Sequence, residues 1–172
     1  MRRLTAFAAA IVIGLGLLFI AAPAGAAATT TGWVPAPSAP FDIAAGVRCD
    51  FPIHGQPIKD DVQKMTLATF PDGTPQREIF AGPLVTRVTN TTNGKFFDAD
   101  ASGTAVIDHG TDGSQTWSVL GPVLVGFGAG QGNLPRGLWL INGVFQLHFA
   151  ANGTRTLQLL VGTTDNVCDH IA

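Results

Sequence analysis

The chain has 172 residues, and its 10 Lys and Arg against 12 Asp and Glu give a formal net charge of −2 at pH 7. Because contact with phosphates needs a surplus of basic side chains, this balance argues against a nucleic-acid-binding role. Charged residues make up only 13% of the chain, and Gly occurs 21 times. This composition excludes a coiled coil and an acidic disordered tail, and the length fits a single folded domain.

The N-terminus has the three parts of a secretory signal peptide. Arg2 and Arg3 supply positive charge, residues 6–22 form an uncharged apolar run, and small residues lead up to Ala26. We therefore predict a signal peptide over residues 1–26 and a secreted, extracellular protein without a membrane contact after cleavage. The alternative is a membrane anchor, although the apolar run is at the short limit for crossing a bilayer.

Residues 27–45 contain three prolines separated by small residues and are predicted to form an extended linker. Trp33 and Phe41 are its large apolar side chains, and either is able to dock on the rest of the protein as a latch. Residues 46–172 are predicted to form a single β domain.

Cys49 and Cys168 lie near the two ends of the predicted domain. In an oxidising compartment, two cysteines in one small domain usually pair, so we predict a disulfide between them. Such a bond would tie the first strand of the domain to the last. The alternative is two free thiols, one of them a nucleophile.

Turn-forming dipeptides recur roughly every ten residues after position 47 and separate runs rich in Val, Thr, Phe, Leu and Ile. Five of the dipeptides are Asn-Gly or Asp-Gly, which accept the two positive φ angles of a type I′ turn. The turns are predicted at 72–73, 82–83, 93–94, 102–103, 112–113, 121–122, 132–133, 142–143, 152–153 and 162. The strands between them are predicted at 47–54, 64–70, 77–80, 84–91, 95–98, 104–109, 115–120, 123–127, 138–141, 144–149 and 154–161.

The predicted fold class is all-β, an antiparallel meander closed as a β-barrel, with a β-sandwich as the alternative. The clearest alternation is in residues 144–149, where Phe145, Leu147 and Phe149 point to one face. Residues 138–141 are apolar on both faces, and 157–160 nearly so. One face of each needs a cover, for which the candidates are the N-terminal latch, another strand layer and a second subunit in a homodimer.

A short acidic motif resembles the first half of a calcium-binding loop. Asp98, Asp100 and Ser102 place oxygens at alternate positions before a glycine, which makes them candidate calcium ligands. The twelfth position is His109 instead of the glutamate of an EF-hand, so an ordinary polar hairpin is the alternative. No other cofactor is expected.

Glycine occupies every second position from 126 to 132. The Lys-Ser/Thr pair and the helix of a phosphate-binding loop do not follow it. Instead of a phosphate-binding loop, the run is predicted to be a flexible lid or a strand edge where a large group approaches the backbone. A lid at the mouth of the predicted barrel makes Gly128 and Gly130 candidate ligand contacts.

Several scattered side chains are candidate ligand-binding residues inside the predicted barrel. Trp117 and Trp139 are able to stack on a flat ligand, although core packing is the alternative for both. Arg87, His109 and His148, together with Asp108, would form a catalytic cluster only if the fold brings them into one pocket.

Between residues 70 and 168 the chain resembles small exported all-β proteins of uncharacterised function from high-GC Gram-positive bacteria. The segments that carry the likeness are 85–90, Gly94-Lys95, Asp112-Gly113 and the terminal Cys168. On strand count alone, the chain is also loosely similar to the barrels of allene oxide cyclase and dirigent proteins. These resemblances imply a fold and supply no residue roles.

The sequence favours a secreted, non-enzymatic β-barrel protein that binds a small apolar ligand, a glycan or a protein partner on the cell surface. One alternative is a cyclase-, isomerase- or hydrolase-type enzyme with polar residues inside the barrel. The other is a structural module stabilised by calcium.

Overall fold

A computed structural model describes residues 32–172, and the chain there is built almost entirely from antiparallel strands. The predicted all-β class is confirmed. The predicted signal peptide over residues 1–26 lies outside the described residues. In the described part of the chain, no helix has the length and apolar character needed to cross a membrane.

The chain forms twelve strands and one short helix in the described residues. The strands are β1 (Val34–Pro35), β2 (Phe41–Ile43), β3 (Ile53–Asp60), β4 (Gln63–Thr69), β5 (Pro75–Ala81), β6 (Leu84–Asn90), β7 (Phe96–Asp100), β8 (Thr104–His109), β9 (Gln115–Leu120), β10 (Val123–Phe127), β11 (Gly137–Phe149) and β12 (Arg155–Asn166). The helix α1 (Val167–Ile171) ends the chain, and the Asn166 side chain caps it by accepting from the Cys168 N–H at 3.3 Å.

The strands form two sheets. The larger one has the order β1-β4-β5-β8-β9-β11-β10, with β12 on the other side of β11, and the smaller one has the order β2-β3-β6-β7. Within residues 32–172 neither sheet closes on itself, because β1 and β12 at the two edges of the larger sheet do not pair. The predicted closed barrel is therefore wrong.

The glycine-containing dipeptides alternate between hairpin turns and bends. Hairpin turns lie at 72–73, 93–94, 112–113 and 152–153, whereas the chain bends without reversing at 82–83, 102–103 and 121–122. At 82–83 the chain passes from the larger sheet to the smaller one, and at 102–103 it returns. Strands of β-sandwiches change sheets at bends in the same way. Backbone hydrogen bonds between neighbouring strands continue across the bends. For example, the Asp61 N–H donates to the Pro83 carbonyl at 2.9 Å.

Two details of the predicted turns are wrong. The turns predicted at 142–143 and at 162 both lie inside strands, where Gly143 of β11 pairs with Gly162 of β12 and both glycines have a positive φ. The register of this strand pair shifts next to them, between Val144 and Phe145. The turn at Asp72-Gly73 is not type I′, since in the described residues only glycines have positive φ. The Gly73 N–H instead donates to the Phe70 carbonyl at 2.9 Å, which gives a type I turn followed by a left-handed glycine.

Cys49 and Cys168 form the predicted disulfide, with Cα atoms 5.5 Å apart. It joins the turn before β3 to α1 instead of the first and last strands. The strand predicted at 47–54 begins only at Ile53, because residues 44–49 form a turn in which Gly46 donates to the Cys49 carbonyl at 2.7 Å. Both cysteines are buried in a cluster with Ile53 and Ile171.

The core of the larger sheet confirms the predicted alternation of β11. Phe145 and Leu147 are buried, while Gln146 and His148 between them are exposed. Near the bends, a strip of apolar side chains stays exposed on the outside of the larger sheet, with Leu160 at 74%. This exposed apolar strip consists of Leu120, Val144, Leu160 and Val161.

Residues 138–141 are covered within the chain, because Trp139 and Ile141 pack in the core of the larger sheet and Leu138 and Leu140 pack in the cluster that contains both cysteines. Leu159 and Leu160 stay exposed, and their cover by a second subunit stays a prediction.

Candidate functional site

A cavity of about 490 Å³ lies between the two sheets. Its wall is mostly apolar, and both sheets contribute to it. The large apolar side chains that line it include Phe41, Phe80, Leu84, Ile107, Trp117 and Leu124. Such a space is concave, apolar and of the size that encloses a small molecule.

The segment between β1 and β2, which lies in the predicted linker, covers one side of the cavity. Ala36, Ser38 and Phe41 line the space. The Ala36 N–H donates to the Val62 carbonyl at 2.9 Å, so the segment is bound to the chain before β4. Phe41 packs on Gly55, where a Cβ atom would collide with its ring. The segment therefore forms part of the cavity wall.

A chain of polar side chains reaches the cavity at its β5–β8–β9 end. The Glu78 side chain, only 5% exposed, faces Lys64 Nζ at 3.0 Å and His109 Nε2 at 3.0 Å through its two carboxylate oxygens. On the other ring edge, His109 Nδ1 lies 3.4 Å from Gln115 Nε2. His109 and Gln115 line the cavity, so the buried carboxylate orients an imidazole at its wall.

The two candidate tryptophans have different positions. Trp117 lines the cavity, donates its indole N–H to Gln115 Oε1 at 3.1 Å, and has its ring centroid 4.8 Å from that of Phe149. Trp139 lies outside the cavity and donates to the Pro135 carbonyl at 3.0 Å. Only Trp117 is therefore placed to contact a ligand there.

The structure does not bring the other predicted polar candidates together. Arg87 forms a two-pronged pair with Asp98 on the smaller sheet, and its bonds hold the pKa of that carboxylate below its ordinary value. His148 lies beside the Thr116 hydroxyl at 3.1 Å on the outer face. Asp108 binds Arg77. Of the four expected members of a catalytic cluster, only His109 reaches the cavity.

The predicted calcium ligands have partners within the chain. The Asp98 carboxylate binds Arg87, and Asp100 Oδ1 accepts from the Ser102 N–H at 3.0 Å. The Ser102 hydroxyl lies 2.9 Å from the Leu84 N–H. Among residues 32–172, no group of three or more His, Cys, Asp or Glu side chains is placed to hold a metal ion. Calcium binding by this motif stays a prediction.

The glycine-rich run forms the end of β10 and the connection to β11, and none of its four glycines lines the inter-sheet cavity. Gly128 is buried against the guanidinium group of Arg48, and Gly130 is exposed with a φ of 66°. The predicted contact of these two glycines with a ligand in a barrel mouth therefore has no counterpart at this cavity.

Sequence reasoning missed Glu78, Lys64 and Gln115. One signal was available, because Glu78 is the only glutamate of the chain and alternates with Phe80 in a predicted strand. The strand register then places Glu78 opposite Ile107, on the face that carries the core. That register depends on pairing between distant segments, which the pattern of one strand does not specify.

Comparison of the chain with protein-family models, with curated proteins and with solved structures returned no match. The resemblance to small exported β-proteins stays a prediction.

Proposed function

We propose that this protein binds a small apolar molecule in the cavity between its two sheets. The observation that carries the proposal is the cavity of about 490 Å³, which has an apolar wall and a few polar groups at one end. Binding sites for small molecules combine these two features, because apolar contacts provide affinity and a few polar groups provide orientation. A glycan fits less well, since its hydroxyl groups would lose hydrogen bonds to water against this wall.

The proposed setting is outside the cytoplasm, where the protein would carry or sequester its ligand. The predicted signal peptide and the disulfide between Cys49 and Cys168 support this setting, since structural disulfides are typical of oxidising compartments.

Filling the cavity is expected to abolish binding. Ala105 lines the cavity on β8, and its replacement by Phe would place a ring in the space that the ligand occupies. We expect Ala105→Phe to bind phenylnaphthylamine, a neutral fluorescent dye, at least about tenfold more weakly than the unmodified protein. The measurement is the rise in dye fluorescence on titration.

Val106→Phe is the matched control, because Val106 is the next residue of β8 and points to the opposite face. It should leave dye binding unchanged. Equal dye affinity of Ala105→Phe and the unmodified protein, with both folded by circular dichroism, would contradict the proposal.

The pair of Glu78 and His109 favours a second candidate function, acid–base catalysis on a ligand in the cavity. An imidazole held by a buried carboxylate is suited to take a proton from a water molecule that attacks an ester. Under this second candidate the protein hydrolyses p-nitrophenyl butyrate with saturable kinetics, and His109→Gln lowers kcat by about a hundredfold. His148→Gln, on the outer face, is the control; equal rates for the two variants would eliminate this candidate.

A further inference from the structure

A second, smaller cleft of about 230 Å³ lies beside the inter-sheet cavity. The two spaces share the side chains of Phe41 and Leu124, so they are neighbours. Arg48 and Arg155 line the smaller cleft, and the rest of its wall is apolar side chain or glycine backbone. An apolar space therefore lies next to one that carries two positive charges.

Arg48 and Arg155 differ from the other arginines of the described chain. Each of these other arginines forms an ion pair with an aspartate; they are Arg77, Arg87 and Arg136. Within residues 32–172, neither Arg48 nor Arg155 forms an ion pair. Arg48 donates to the Val47 carbonyl at 3.0 Å, and the Arg155 guanidinium lies 5.5 Å from the centroid of the Phe149 ring. Most of their hydrogen-bonding capacity is left for a ligand.

The two guanidinium groups belong to residues that line the same small cleft. Burial lowers the pKa of both, and the positive charge of Arg48 lowers the pKa of Arg155 further. Two half-buried charges of the same sign are costly to hold together, because desolvation and repulsion both oppose the charged form. An anion in the cleft that both residues line would offset both effects and accept charge-assisted hydrogen bonds from planar donors.

The glycine-rich run holds this arginine pair in place. A Cβ atom at Gly126 would collide with the Arg48 side chain, which lies against the backbone of β10. Gly132 forms a bridge with Arg155, and a Cβ there would collide with the Arg155 carbonyl. The Arg155 N–H also donates to the Gln131 carbonyl at 2.8 Å. Glycine at these positions therefore lets both arginines approach one stretch of chain.

We propose that Arg48 and Arg155 bind the carboxylate or phosphate group of an amphiphilic ligand whose apolar chain occupies the inter-sheet cavity. This inference rests on the proposed function and narrows it from apolar molecules to anionic amphiphiles. The ligand passes between the two spaces beside Phe41 and Leu124, which line both.

The test compares ligands that differ only in their head group. Dodecanoate, dodecyl phosphate and dodecanol are titrated against the protein loaded with phenylnaphthylamine, and dye displacement gives their affinities. We expect both anions to bind roughly ten- to a hundredfold more tightly than dodecanol, as charge-assisted hydrogen bonds to half-buried arginines imply. A preference of one anion over the other identifies the head group.

Arg48→Gln and Arg155→Gln should each remove most of this preference and leave dodecanol binding unchanged. Arg48→Lys keeps the charge and should retain part of the preference, which separates loss of charge from misfolding. Arg77→Gln is the matched control, because Arg77 pairs with Asp108 outside the cleft. It should bind all three ligands as the unmodified protein does.

Equal binding of dodecanol and both anions would overturn the inference and leave the apolar cavity as the binding site. So would an unchanged preference for anions in both Gln variants. Displacement of the dye by none of the three ligands would overturn the inference and the proposed function together.

Discussion

Replacing Cys49 and Cys168 together by alanine is expected to lower the free energy of unfolding by about 3–5 kcal/mol. The disulfide joins residues 119 positions apart, so it removes many conformations from the unfolded chain. It also fixes α1 against the turn before β3, and both cysteines are buried in the same apolar cluster. Unfolding in guanidinium chloride, followed by circular dichroism, measures the change.

The unmodified protein with its disulfide reduced is the control for this experiment. Reduction should lower its unfolding midpoint by about as much as the double substitution does, whereas the variant should not respond to the reductant. An unfolding midpoint that neither substitution nor reduction moves would show that the bond adds no stability.

Gly162→Ala is expected to destabilise the protein by about 3 kcal/mol or more, because strain and collision act together. Gly162 pairs with Gly143 across β11 and β12 and has a φ of 142°. A Cβ atom there would collide with the Asn142 carbonyl, which belongs to the backbone and has little freedom to move. The close approach of the two strands at the bend therefore requires glycine.

Gly153→Ala is the matched control for the substitution at the bend. Gly153 also has a positive φ, 86°, but it lies in an exposed hairpin turn where a Cβ atom meets nothing within 4 Å. We expect a loss of only about 1–2 kcal/mol there, from the left-handed backbone alone. Equal losses for the two variants would contradict the close contact at the bend.

The strand content of this fold follows from local composition, and β8, β9 and β10 have the predicted bounds. The arrangement of the strands into sheets does not follow from local composition, because the same glycine-containing dipeptides occur at hairpin turns and at bends. Asn152-Gly153 reverses the chain, whereas Asn142-Gly143 only bends it. The difference depends on what pairs with the glycine from a distant strand, and the local sequence does not contain that information.

The candidate site was predictable only in part. His109 and Trp117 were candidates from the sequence, and both line the cavity. Arg48 and Glu78 were not candidate site residues from the sequence, because each acquires its role from residues far away in the chain. Arg48 needs Arg155, and Glu78 needs the imidazole that β8 places opposite β5.

The central claim is that the space between the two sheets takes up an apolar chain. Intermolecular nuclear Overhauser effects between dodecanol and the methyl groups of the protein test it most directly. Contacts from the methylene protons of dodecanol to Ala105, Ile107 and Leu84 are the predicted result, since all three line the cavity. Contacts confined to Leu160 and Val161, in the exposed apolar strip, would contradict the claim.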